Sequence, residues 1–71
     1  MNMTTKMIKV KSEALNSIGW DSQNNKLLIE FPKGTYAYDA PRDEYDRLLK
    51  AKSHGKYFNK AIRNTYKFEL L

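Results

Sequence analysis

The sequence predicts an α+β domain: a three-stranded antiparallel meander followed by two α-helices packed on one face of the sheet. Three observations carry that expectation. Apolar residues alternate with a period of two through the first half of the chain and take a helical spacing after Pro41. The clusters "DSQNN" and "PKG" punctuate the alternating part as turns would. The chain has only 71 residues and no cysteine, so it makes one small domain without a disulfide or thiolate staple. Its stability must then come from burial. Five Tyr, three Phe and one Trp supply the area.

The elements follow in order. "MNMTTKMIKV" has no apolar run long enough for a signal peptide or a membrane span, so residues 1–7 read as a flexible leader of a cytoplasmic protein and 8–71 as its single domain. "LNSIGWD" places Ile18 and Trp20 on alternate positions, a first strand. "KLLIEF" sets Leu27, Ile29 and Phe31 on one face, a second strand. "PKG" is a hairpin turn in which Gly34 is free to take positive φ, and "TYAYD" is the third strand. A helix then opens with Asp39 or Ala40 as its cap, Pro41 in its first turn and Asp43 and Glu44 near its positive end. Tyr45, Leu48 and Leu49 form its apolar stripe, and Gly55 is expected to break it. "KYFNKAIRNTY" is the second helix, with Tyr57, Phe58, Ala61 and Ile62 on one side.

Charge is distributed unevenly. Residues 12–46 carry seven acids, whereas residues 47–68 carry seven lysines and arginines and no acid. At helical spacing Lys56, Lys60, Arg63 and Lys67 share one arc opposite the apolar stripe. A purely solubilising face usually mixes signs. Lys56 also stands in the first turn of its helix, where the dipole disfavours a cation by a few tenths up to about 1 kcal/mol. This arc, Lys50, Lys52 and the amides around Gly55 are the expected contacts to the phosphates of a nucleic acid.

Catalysis is not expected. One histidine and no cysteine provide neither a Cys/His pair nor a two-histidine metal site, and no phosphate loop or dinucleotide fingerprint is present. Asp43, Glu44 and Asp46 are accounted for by a helix start and a solvated face, and His54 by a helix–helix turn. No catalytic residue, metal or cofactor is therefore assigned. Tyr36 and Tyr38 point to the same side of their strand. Facing the helices they are core; facing outward they would form a platform on which bases stack. The alternation favours the core, because that strand otherwise offers only Ala37 to the interior.

The stretches "SIGWD", "LLIEFPKGTYAYDAP" and "YDRLLKAKSHGKYFNKAIRNTY" resemble the KTSC domain, a short bacterial and phage domain found at the C-terminus of some lysyl-tRNA synthetases and also alone. The resemblance spans about residues 8–66. It is carried most specifically by Tyr36 and Tyr38 and by Ser53, Gly55, Tyr57, Phe58 and Asn59. Trp20 stands where the family commonly has another aromatic residue. The attachment to a tRNA-charging enzyme implies RNA as the partner, tRNA or another structured RNA, and low sequence selectivity is expected because the chain shows no convergent set of base-reading side chains. The stand-alone phage members imply the alternative, an accessory module that binds and modulates a host protein.

Overall fold

The computed structural model describes residues 6–71. Residues 1–5, most of the expected leader, lie outside the described residues, and Met7 opens the first strand. Among the described residues five strands, β1 (Met7–Lys9), β2 (Ser17–Asp21), β3 (Lys26–Phe31), β4 (Gly34–Tyr38) and β5 (Phe68–Leu70), form one sheet in the order β1-β2-β3-β4-β5. All four pairings are antiparallel. Helices α1 (Arg42–Lys50) and α2 (His54–Tyr57) lie between β4 and β5 in sequence, and α2 runs directly into a π-helical segment, Phe58–Ile62. None of these helices is long and apolar enough to cross a membrane.

The α+β class and the central meander agree with the sequence reading, but the sheet has five strands, not three. Both added strands are edges of three residues, "MIK" and "FEL", too short to display a period. Their partners define them. Val10 donates to the Asn16 carbonyl (3.1 Å) beyond β1, while Asp39 donates to the Lys67 carbonyl (2.8 Å) and Leu71 to that of Thr35 (2.9 Å) at the two ends of β5.

Cross-strand register builds the core. Ile18, Ile29 and Tyr36 stand opposite one another in one row, and Trp20, Leu27 and Tyr38 in the next. Strand β5 extends these rows with Leu70 opposite Tyr36 and Phe68 opposite Tyr38. Residues in register, and those two apart along a strand, share a face. Against that face pack Leu48 of α1 and Phe58 and Ile62 of the π-helical segment, with Leu15 and Ala40 from loops. Each such aliphatic side chain, fully buried, contributes about 1.5–3 kcal/mol.

Two turns keep the residues that turn chemistry requires. The Asp21 carboxylate accepts from the Gln23 and Asn24 amides (3.0 and 3.3 Å) and from the Asn24 side chain (2.9 Å), which holds its pKa below the usual value, and Asn25 closes the loop at φ 55°. Gly34, paired with Phe31 across the hairpin, has φ +154°. A Cβ there would also lie 3.1 Å from Leu70 Cδ1.

The helix boundaries differ from expectation: the second helix begins at His54 and its π-helical continuation ends at Ile62, and two further differences concern α1. Neither Asp39 nor Ala40 caps α1. The Asp39 amide is committed to Lys67, its carboxylate pairs with Lys26 Nζ (3.1 Å), and Ala40 is buried in the core. Sheet pairing thus runs past Tyr38, and Pro41 occupies the N-cap position without a side-chain cap. Gly55 likewise does not end α1. The chain leaves the helix at Ala51, which is extended at ψ 141°. Ser53 caps α2 by accepting from the Lys56 amide (3.3 Å). Gly55 lies inside α2, where a Cβ would come within 3.2 Å of Ala14 Cβ, so this glycine permits close approach of the β1–β2 loop.

Replacing Gly34 by Ala imposes a backbone angle that L side chains rarely adopt and crowds Leu70. The expected cost is about 1 kcal/mol or more, a fall in Tm of roughly 5 °C for a domain of this size, measurable by thermal unfolding.

Candidate nucleic-acid interface

Helix α2 widens as it passes over the sheet. The Arg63 amide donates to the carbonyl of Phe58, five residues back, at 2.9 Å. Phe58 and Ile62 are thereby directed into the core, while Asn59 and Arg63 stand exposed beside it. Between this segment, the β3–β4 hairpin and β5 opens a cleft of about 520 Å³. Its floor and walls are aromatic: Phe31, Tyr36, Tyr38, Phe58 and Phe68. The rings pack as a connected set, with centroids 5.4 Å apart for Phe31–Tyr36, 5.5 Å for Tyr36–Phe68 and 5.5 Å for Tyr38–Phe58. Lys33, Arg63, Asn59 and Asn64 also line it, and no acid does.

Tyr36 and Tyr38 share the helix-facing side. Tyr38 is only 4% exposed, and burial, with Tyr36 beside it, pushes its hydroxyl pKa up. It therefore cannot serve as half of a stacking platform, and its ring belongs to the cleft floor. Tyr36 is half-buried and reaches the cleft. Its exposed neighbour is Phe68, 55% accessible, on a strand the sequence reading did not contain. The alternation already placed Phe31 with Ile29 on the inward face, so its position beside the hairpin was readable. Phe68 carries no local signal, because only pairing with β4 brings it to the cleft.

The expected phosphate contacts divide into three groups. Lys50, Lys52, Lys56, Lys60 and Arg63 are all exposed along the chain from the end of α1 to the end of the π-helical segment. Among the described residues none of the five joins an ion pair; the pairs are Lys26–Asp39, Arg42–Asp46 and Arg47–Glu44. Lys67, expected on the same helical arc, is not there. The helix ends before it, in a turn where Thr65 and Tyr66 both donate to the Ile62 carbonyl (3.1 and 3.3 Å), and Lys67 borders a smaller cleft with Lys26, Asp39 and Glu69. Gly55 is half-buried, its Cα side facing Ser12 and Ala14, and the Lys56 amide already serves the Ser53 cap.

One buried group positions all of this. Glu44 is 6% exposed, not part of a solvated face. Its carboxylate accepts from the hydroxyls of Tyr57 (2.5 Å) and Tyr66 (2.8 Å), with Arg47 Nη1 at 3.8 Å. A buried carboxylate without such partners would cost several kcal/mol. The first bond ties α1 to α2. The second fixes the reversal after the helix, from which Lys67 and Phe68 run back to β4. His54 adds a tie, its Nδ1 donating to the Leu48 carbonyl (2.8 Å) at the end of α1.

A small antiparallel sheet covered on one face by two short helices, with an aromatic cleft at one edge, defines the class: a compact α+β domain. The KTSC domain family model matches residues 11–66, and the chain belongs to that family. An uncharacterized protein of Stutzerimonas stutzeri strain A1501 is 35% identical over 60 residues, covering 82% of this chain and 84% of its own. The crystal structure of a KTSC domain protein from Yersinia pestis superposes with a TM-score of 0.88 at 28% identity, covering 96% of this chain and 99% of that one.

The Glu44 clamp has a signature at high pH. Hydrogen bonding to Glu44, then burial, raises the pKa of both Tyr57 and Tyr66. A tyrosine whose folded pKa lies above its unfolded value of about 10 contributes stability that is present below pH 10 and lost as the pH rises through the folded value. Stability should therefore fall above pH 10, and less steeply in a Tyr57→Phe/Tyr66→Phe variant. Urea unfolding at pH 8, 10 and 11 checks both the direction and the difference.

Proposed function

We propose that this domain is a non-catalytic RNA-binding module that holds the phosphate backbone of tRNA or another structured RNA with low sequence selectivity. The observation that carries this reading is the set of five exposed cations that join no ion pair among the described residues, Lys50, Lys52, Lys56, Lys60 and Arg63, in a stretch of chain without an acid. Each cation placed on a phosphate releases condensed counterions, the sequence-independent source of affinity for nucleic acid. Lys56 in α2, Lys60 in the π-helical segment and Arg63 just beyond it are the expected centre of the surface. Lys50 and Lys52 extend it across the α1–α2 turn. Low selectivity follows from contacts that read phosphates and not base edges.

A second reading has its own observation. Phe68, Leu70 and Leu71 are 55%, 61% and 67% exposed at the sheet edge, where an apolar surface of a partner protein would be covered. The readings differ in salt response. Three or four neutralised phosphates on a single strand give a log–log salt slope of about −2 to −3, a roughly twenty- to fifty-fold loss between 50 and 200 mM salt. An apolar protein interface loses much less.

Titration of bulk tRNA and single-stranded RNA at both salt concentrations, with wild type and a folded Lys60→Glu/Arg63→Glu variant, tests this. The expected outcome is micromolar or tighter binding at 50 mM salt that falls steeply with salt and collapses in the variant. Absence of binding at low salt would overturn the RNA reading and direct the search to pull-downs for a protein partner.

A further inference from the structure

The backbone reading leaves the aromatic cleft unused, although Arg63 borders it. Three features of the cleft point to one occupant. Its walls offer flat rings, of which Tyr36 and Phe68 are accessible and stand with centroids 5.5 Å apart at 53°. Its two charged lining residues, Lys33 and Arg63, are both cations, one on the hairpin and one beyond the π-helical segment. Its uncharged polar lining consists of Asn59 and Asn64, and the Asn59 carbonyl oxygen accepts from Arg63 Nη1 (3.4 Å). That contact holds the guanidinium at the rim and leaves the Asn59 NH₂ free to donate. A lipid or an aliphatic side chain would fill such a cleft without using its cations. A planar heterocycle carrying a phosphate uses both, with the ring against the aromatic wall, the phosphate on Arg63 or Lys33, and an amide at the ring edge.

We infer that this cleft binds unpaired nucleotides, so that the domain distinguishes single-stranded from duplex RNA; the inference rests on the RNA-binding reading above. The base stacks on the accessible face of Phe68 with Tyr36 at its edge, and the adjoining backbone runs over Arg63 toward Lys60. A paired base cannot enter, because its faces are occupied by its neighbours in the stack. The site is built from two distant parts of the chain. The β3–β4 hairpin supplies Phe31, Lys33 and Tyr36, while the C-terminal segment supplies Asn59, Arg63 and Phe68.

The test compares a 12-nucleotide single-stranded RNA with its blunt duplex by fluorescence anisotropy at 50 mM salt. Wild type, Phe68→Ala and Lys33→Glu are used, since both sites are exposed and both variants are expected to fold. Base–aromatic stacking predicts that Phe68→Ala weakens single-strand binding roughly ten-fold or more while leaving the salt slope unchanged. Duplex binding should be weaker than single-strand binding in wild type and indifferent to Phe68→Ala. Uridine and adenosine monophosphates, followed by NMR, should shift the ring signals of Tyr36 and Phe68 before those of Trp20. Equal affinity for duplex and single strand, or unaltered single-strand binding by Phe68→Ala, would overturn the cleft inference while the backbone reading stands. Loss of all RNA binding in the wild type would instead overturn the backbone reading, and this one with it.

Discussion

The cross-strand register of β2, β3 and β4 is the constraint on which the rest depends. A slip of one residue would turn Ile18, Ile29 and Tyr36 to the opposite side of the sheet and leave Leu48, Phe58 and Ile62 without a surface to pack on. In a chain of this length there is no second core to compensate. The register is held by the alternation itself and by two turns with specific chemistry, the Asp21 loop and the Gly34 hairpin. Once the large side chains share one face, the helices have only one place to go.

Glu44 converts that packing into a defined geometry. Apolar contact alone tolerates sliding, whereas a buried carboxylate with two phenol donors accepts few arrangements. Tyr57 and Tyr66 lie on either side of the π-helical segment, so the two bonds fix both where that segment starts and where the chain turns back. The return strand β5 then carries Phe68 into the cleft lining, its ring 5.5 Å from that of Tyr36. The cleft is in this sense a consequence of the clamp. The widened turn contributes by carrying Asn59 and Arg63 to the cleft rim while Phe58 stays inside.

The exposed cations follow one another from Lys50 to Arg63, and Arg63 belongs both to that run and to the cleft. The exposed apolar residues of β5 sit beside the cleft, not opposite it, because Leu70 and Phe68 continue the rows of Tyr36 and Tyr38.

Much of this was legible from residue order alone. Period-two alternation identified the central strands and the shared face of Tyr36 and Tyr38, turn residues marked both hairpins, and helical spacing located the stripe of Tyr45, Leu48 and Leu49, because each signal is local. The run of cations without acids was equally plain. Other features required the assembled molecule. The edge strands are three residues each and exist through hydrogen bonds to partners far away in sequence, which also moved Asp39 and Ala40 out of the helix and Lys67 off the basic arc. The burial of Glu44 was hidden because an acid in a first helical turn has a sufficient local reason to be there. Gly55 looked like a helix break until the neighbouring loop showed what a Cβ would strike. Local periodicity determined which residues face inward. Long-range pairing and one buried carboxylate decided where the C-terminal strand docks, and so where the cleft lies, because those interactions join residues that no sequence window contains together.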